Sequence, residues 1–259
     1  MKNNILFTVT NLDLIDKLKG LGINKFVYPL SFFCVGIPKT YEIKDVQEEN
    51  SYLYINRILN CEDIDKLSII LHNLPKNIKG VIFDDIGIIE VVKDLDIEKI
   101  LYNSHFCTNY ASINEYFNYV DEVIVSTDIT EEEIDEIISK TNKKVSLFAF
   151  GLISSMYSRR TLLSNYATQF NLDKKLEKDL GIQDKKFISI ENEFGTVLYH
   201  YPYFNGQRLI NKDVKYLFYH PILLNDKDVL KVANNDFSDI LTDEGFLDTK
   251  TIYKVKSND

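Results

Sequence analysis

Acidic, imidazole and guanidinium side chains follow several short apolar runs of this chain, where they could carry out acid–base chemistry or bind an anion. Asp85 and Asp128 would serve as a general base and a general acid if folding brought them together, because paired carboxylates push their pKa values apart. His105 could shuttle a proton. Each acid could instead cap a helix or a loop, and the histidine could simply hydrogen-bond to the backbone. These three residues are catalytic candidates, and the catalytic set itself stays unknown.

Arg160 lies in a polar turn and is the side chain best suited to bind a ligand. Its planar guanidinium can donate two parallel hydrogen bonds to a carboxylate or phosphate, which a lysine ammonium cannot do. We therefore expect a small anionic ligand here. A surface salt bridge is the competing interpretation.

The cysteines give no sign of a metal centre. Cys34, Cys61 and Cys107 are widely separated and form no C-x-x-C pair, so the default is three buried free thiols. Each follows a predicted strand, and three thiolates could in principle bind a metal, but no histidine or carboxylate stands beside them at ligand spacing. We expect no metal and no cofactor. The sequence also lacks the G-x-S-x-G, P-loop, dinucleotide-binding and H-E-x-x-H motifs.

Composition narrows the class of protein. The chain has 259 residues, 45% of them hydrophobic, which is enough to form a full core, and a formal net charge of −9. That charge opposes binding of the isolated chain to nucleic-acid backbones. No apolar run reaches the roughly 18 residues that span a bilayer, and the start resembles no signal peptide, so we expect a cytoplasmic protein without a membrane partner.

Strand-like and helix-like patterns alternate along the first 150 residues. Thr130 before three glutamates predicts a helix start, because its hydroxyl can cap free amides. Repeated strand–helix units favour parallel strands joined by right-handed crossovers. We predict an α/β protein with one domain over residues 1–259, a (β/α)8 TIM-like barrel that could be incomplete or irregular, with a doubly wound open sheet as the alternative. The predicted strands are Ile5 to Val9, Lys25 to Tyr28, Tyr52 to Ile55, Val81 to Phe83, Ile100 to Tyr102, Glu122 to Val125, Val145 to Phe150 and Lys215 to Tyr219.

Residues 167–205 interrupt this alternation. A charged stretch is followed by two β-rich runs, KFISIEN and TVLYHYPYF, with a turn at Glu193 to Gly195 between them. The pattern predicts a β-hairpin inserted late in the barrel. It would either form a lid over a site or merely cover hydrophobic surface.

A barrel would bring the residues that follow its strands to one face, where βα loops build active sites. The candidates for that face are Asn56, Asp84, Asp85, His105, Asn109, Thr127, Asp128, Ser154, Arg159 and Arg160.

The segment from Phe148 to Tyr166, FAFGLISSMYSRRTLLSNY, resembles the G-A-x-C-x-x-Y-S-G-R-C-L-L-S signature of the collagenase-like peptidases, the U32 family. Relatives in that family include iron–sulfur-dependent, prephenate-using RNA hydroxylases and ubiquinone-biosynthesis hydroxylases. Ser154 and Thr161 occupy the two cysteine positions. Because cluster iron needs thiolate ligands, the resemblance implies a divergent member without the cluster. The matching residues are Tyr157, Ser158, Arg160, Leu162, Leu163 and Ser164.

Further segments within roughly the first 165 residues resemble the same family. Lys79 to Leu95 is similar to a strand and turn of the family. Tyr52 to Arg57 is similar to an earlier strand that ends in an asparagine, here Asn56. Leu101 to Ser112 is similar to a strand and the segment after it, and Asn109 falls on the asparagine of that segment. The resemblance implies a ligand-binding set, which comprises Asn56, Asn109, Tyr157 and Arg160.

Two function classes follow. The first is a cluster-free protein that binds a ligand or acts as the partner subunit of a cysteine-complete family member. The second is an active, metal-free hydrolase of the peptidase type that uses carboxylates at the barrel mouth. The missing thiolates favour the first class, but the sequence does not decide whether the protein is an enzyme, and it names no substrate.

Overall fold

Eight parallel strands form a closed barrel in the computed structural model, which describes residues 4–175, 177–182 and 185–250. The eighth strand closes it by pairing in parallel with both the first and the seventh. The predicted TIM-like barrel is therefore confirmed, and the open sheet is wrong. The barrel strands are β1 Ile5–Thr8, β2 Lys25–Pro29, β3 Ser51–Ile55, β4 Ile78–Phe83, β5 Glu98–Leu101, β6 Glu122–Val125, β7 Ser146–Gly151 and β13 Leu217–His220.

Both faces of the barrel strands are apolar. Side chains on the inner face pack against one another inside the barrel, and those on the outer face pack against helices. All five residues of β3 are buried, and Phe7, Phe83 and Phe218 are fully enclosed. This burial explains why the strands appear in the sequence as continuous apolar runs rather than as alternating patterns.

Within the described part of the chain, seven α-helices accompany the strands. The helix Glu131–Lys140, α5, begins where the sequence predicts, because the Thr130 side chain accepts the Glu133 amide while the Glu133 carboxylate accepts the Thr130 amide. The helices are α1 Ile15–Gly20, α2 Cys61–Leu71, α3 Ile88–Val92, α4 Tyr110–Tyr116, α5 Glu131–Lys140, α6 Leu162–Gln169 and α7 Asp226–Ala233.

A second, antiparallel sheet lies at one end of the barrel, and we name it the hairpin sheet. It comprises β8 Ser154–Ser158, β9 Glu177–Ile182, β10 Lys185–Asn192 and β11 Gly195–Tyr201, in the order β8-β11-β10-β9. The predicted hairpin is the β10–β11 pair. The sheet begins earlier than the expected insertion, residues 167–205, because β8 joins it directly after β7. Residues 176, 183 and 184 of that insertion lie outside the described residues.

The turn between β10 and β11 requires glycine. Gly195 has a φ of 137°, and a Cβ atom there would lie 2.1 Å from the carbonyl oxygen of Ser158. The chain then returns through β12 Tyr203–Asn205, which pairs antiparallel with β7, and β14 Thr242–Asp243, which pairs with β12. No helix within the described ranges is long and apolar enough to cross a membrane.

Candidate functional site

A small enclosed cavity lies at the carboxyl ends of the barrel strands. Its volume of about 40 Å³ is enough for a few water molecules and too small for a large ligand while the cavity stays closed. The barrel contributes Tyr54, Asn56, Asp84, Tyr102, Phe148 and His220. The hairpin sheet contributes Ser154, Tyr157, Val197 and Tyr199.

The hairpin sheet covers this cavity because its side chains bind the loop after β2. The Tyr199 hydroxyl donates to the Gly36 carbonyl at 3.0 Å, and the Asn192 side chain donates to the Cys34 carbonyl at 3.1 Å. Arg57 adds a third link, since its guanidinium lies 3.8 Å from the centre of the Phe194 ring and binds Asp63 at 2.8 Å. These contacts hold the sheet over the barrel mouth.

Asp84 is the carboxylate that lines the cavity. Burial raises its pKa to about 7, Asp85 adds to this rise, and His105 opposes it. An acid with that pKa is partly protonated at neutral pH, so Asp84 can either accept or donate a proton.

Asp85 has a different position, outside the cavity lining. One carboxylate oxygen accepts the Leu59 amide at 2.8 Å, and the other accepts the Gly87 amide at 2.8 Å. These bonds fix the turn after β4 to the loop after β3. The geometry thus gives Asp85 a structural role, and its catalytic role stays a prediction without a contact to support it.

His105 and Asp128, the other two catalytic candidates, do come together. His105 Nδ1 lies 2.9 Å from Asp128 Oδ2, and this hydrogen bond raises the pKa of the histidine. The pair is half-exposed and lies beside the cavity rather than among its lining residues.

The expected ligand-binding residues separate into two groups. Asn56 and Tyr157 line the cavity, but both polar atoms of Asn56 already bind the Val35 backbone, at 2.8 and 2.9 Å. Asn109 is exposed and caps α4 by accepting the Ser112 amide. Arg160 is also exposed.

The Arg160 guanidinium makes no hydrogen bond or ion pair with any described residue, whereas its backbone carbonyl accepts the Thr196 hydroxyl. Of the remaining candidates for this face, Ser154 lines the cavity, Thr127 is buried and Arg159 is exposed. An anion on Arg160 would therefore bind at the surface, outside the cavity.

His220 is a cavity residue to which sequence reasoning assigned no role. Its ring is buried, which lowers its pKa to about 3, and Nδ1 lies 2.8 Å from the Thr8 hydroxyl. The imidazole is therefore neutral at physiological pH. Its place directly after the last predicted strand was the signal that could have identified it. Tyr102 also lines the cavity; it ends a predicted strand, but in the structure it follows β5.

Comparison with known proteins agrees with the signature in this chain. The sequence model of Peptidase family U32 matches residues 31–174, more than half of the chain. The chain belongs to peptidase family U32. None of the curated proteins matches the sequence. The solved structure of the U32 peptidase Mk0906 matches with a TM-score of 0.48 and 14% sequence identity, over 66% of this chain and 79% of that chain.

The donor atoms of this U32 protein do not fit an iron–sulfur cluster. Ser154 and Thr161 supply hydroxyls where the U32 signature has cysteines, and hydroxyls are poor ligands for cluster iron. Cys34 and Cys107 are buried, as expected, and burial raises the pKa of each thiol to about 12. Cys61 is exposed on α2, against that expectation. Within the described ranges, no three histidine, cysteine or acidic residues form a metal-binding group.

The U32 signature helix, α6, is held to the hairpin sheet by one carboxylate. Glu191 accepts the amides of Leu163 and Ser164 at 2.6 and 3.1 Å, together with the hydroxyls of Ser164 and Thr196. Burial acts to raise its pKa, but the hydrogen bonds from Ser164 and Thr196 outweigh burial and hold the pKa below its usual value. The signature segment therefore supports the cover of the cavity.

Proposed function

We propose that this chain is a ligand-binding U32 protein that works without an iron–sulfur cluster, beside a cysteine-complete family member. The observation that carries the proposal is the enclosed cavity at the barrel mouth, which the signature strand β8 helps to cover. Binding sites of such barrels lie at this face. The hairpin sheet acts as a lid, because a ligand larger than a few waters cannot enter while the sheet is closed.

Filling the cavity tests the ligand-binding part of the proposal. Ser154 lines the cavity, whereas Ser155, the next residue of β8, is exposed. We expect small molecules from a metabolite screen to raise the melting temperature of wild type and of the Ser155→Phe control, but not of Ser154→Phe. Ligands that stabilise all three proteins equally would bind elsewhere and would remove the support for this site.

Exposed apolar side chains near the signature support the partner part of the proposal. Leu162 and Tyr166 of α6 and Phe170, which follows it, are exposed and recur at four-residue spacing. Leu172 and, on β8, Met156 are also exposed. Contiguous exposed apolar residues commonly mark a protein–protein contact.

Co-expression with a cysteine-complete U32 protein tests that contact. We expect the two chains to co-elute in size-exclusion chromatography, and Phe170→Glu to separate them. Tyr119→Glu is the matched control, since Tyr119 is also an exposed aromatic residue, next to α4. Separate elution of the wild-type chains would count against a partner role.

Asp84 favours a second candidate function, a metal-free hydrolase. A carboxyl group with a pKa of about 7 can act as a general base on a water molecule at neutral pH. This function predicts hydrolysis of a peptide library by wild type and loss of at least 100-fold in rate for Asp84→Asn. Equal turnover by both proteins would exclude Asp84 as the base.

A further inference from the structure

The cavity at the barrel mouth has a distinctive charge and lining. Resting on the proposed ligand-binding function, we propose that it binds a small organic cation, such as an alkylammonium group, in preference to an anion.

Charge is the first argument. Asp84 is the acid among the lining residues, and no lysine or arginine belongs to the lining that the structure describes. His220 is buried and neutral, so it supplies no positive charge. An anion entering this space would meet a desolvated carboxylate without a compensating cation, whereas a cation would pair with that carboxylate.

The aromatic lining is the second argument. Five of the cavity residues are phenylalanine or tyrosine, and burial holds the pKa values of the tyrosine hydroxyls above their usual range, so these hydroxyls stay neutral. Aromatic walls combined with one carboxylate are the arrangement by which proteins select ammonium groups, through cation–π attraction and a single ion pair. The five residues are Tyr54, Tyr102, Phe148, Tyr157 and Tyr199.

Size limits the ligand to a small head group. The closed cavity holds about 40 Å³, and Val197 and Tyr199 of β11 close its outer side. A methylammonium or ethylammonium ion fits this limit. A larger amine would need the hairpin sheet to move.

The proposal carries a pH dependence that no neutral ligand shares. A cation binds the ionised form of Asp84, so its affinity falls about fivefold over the first pH unit below the pKa of about 7 and about tenfold over the next unit. The titratable groups near Asp84 are Asp85 beside it, His105 and the buried, neutral Cys107 from the loop after β5, and His220, Tyr54 and Tyr102 in the lining. Protonation of His105 adds positive charge at low pH and acts in the same direction.

Ligand-observed NMR on the full chain tests the proposal with methylammonium, ethylammonium, acetate and ethanol as probes. We expect both ammonium ions to bind at pH 8, acetate to show no binding that Ser154→Phe blocks, and ammonium binding to weaken about fivefold between pH 7 and pH 6. Asp84→Asn should weaken ammonium binding at least tenfold and abolish its pH dependence. Glu90→Gln, which removes an exposed carboxylate on α3, should bind like wild type.

The outcomes separate this inference from the function on which it rests. Binding of acetate or ethanol that Ser154→Phe blocks, without ammonium binding, overturns the cation preference and keeps the ligand-binding site. Ammonium binding that is unchanged in Asp84→Asn also overturns the preference. Binding of none of the four probes by folded protein overturns the cation preference, and the metabolite screen with Ser154→Phe then decides the ligand-binding site.

Discussion

At the scale of single residues, the two aspartates after β4 show how strongly position decides chemistry. Successive side chains along extended backbone point in opposite directions, so neighbours can have unrelated surroundings. Asp85 binds two backbone amides, whereas Asp84 lines the cavity and has a pKa of about 7. A family motif that matches Asp85 therefore identifies the turn rather than the carboxylate in the site.

A buried glutamate at the opposite end of the barrel predicts a pH-dependent stability. Glu122 begins β6 and is fully buried, and burial raises its pKa to about 7 although Lys215 lies 3.6 Å away and opposes the rise. Because the folded protein keeps the proton to a higher pH than the unfolded chain, stability falls as pH rises from about 4.5 to 7, by on the order of 3 kcal/mol.

The Glu122→Gln variant tests this. We expect the stability of this variant not to decrease between about pH 4.5 and 7. It should therefore be more stable than wild type at pH 8 and similar at pH 4, as measured by urea unfolding across the pH range. Glu90→Gln, at an exposed site, should follow the wild-type profile. A variant less stable than wild type at pH 8 would mean that the Lys215 pair outweighs the burial.

Substitution by lysine should affect stability very differently at two arginines near the hairpin sheet. Arg160→Lys should leave the melting temperature within about 2 °C of wild type, because the guanidinium is exposed. Arg57→Lys should cost about 3 kcal/mol, since Arg57 forms a buried pair with Asp63 and contacts Phe194. Differential scanning calorimetry measures both.

The predicted anion site on Arg160 is tested with the same variants. Phosphate and acetate should stabilise wild type more than Arg160→Lys if the guanidinium binds them through two hydrogen bonds. If Arg160→Lys melts much earlier than wild type but both anions stabilise the two proteins equally, Arg160 has a structural role and does not bind anions.

At the scale of elements, Glu191 of β10 connects the signature helix to the cover of the cavity. It accepts bonds from the start of α6 and from Thr196 of β11. A helix of eight residues has little stability of its own, so it depends on such contacts.

Glu191→Ala should therefore release α6 and loosen the hairpin sheet. Unpaired buried donors cost about 3 kcal/mol, and we expect a melting temperature lower by roughly 5–10 °C and faster proteolysis between β8 and β11. Glu193→Ala is the matched control, because Glu193 is exposed in the adjacent turn. Equal proteolysis of the two variants would show that Glu191 does not hold these elements together.

At the scale of the whole molecule, the barrel and the hairpin sheet differ in how their strands are paired. Each barrel strand has a neighbour on both sides, whereas β9 pairs with β10 alone among the described residues. Edge strands expose unpaired backbone groups and open more readily than closed sheets.

Hydrogen exchange should reflect this difference. We expect the amides of the barrel strands to be the slowest to exchange and those of β9 the fastest among the strands, as measured by mass spectrometry. A ligand in the cavity should slow exchange in β8 and β11, which cover it, and should leave β9 unchanged. Protection of free β9 equal to that of the barrel would contradict the pairing on which this prediction depends.

Local patterns in the sequence determined the alternation of strands and helices, the start of α5 at Thr130, the β10–β11 hairpin and the absence of cysteine at Ser154 and Thr161. These features depend on hydrophobic periodicity, capping chemistry and residue identity, all of which act over a few neighbouring residues. Only the tertiary structure decided that Asp84 rather than Asp85 lines the cavity, and that His105 binds Asp128, 23 residues away in the chain. It also decided that Arg160 is exposed while His220 is enclosed. Burial and side-chain direction arise where distant strands meet, and that meeting depends on barrel closure between β13 and β1, which no local pattern specifies.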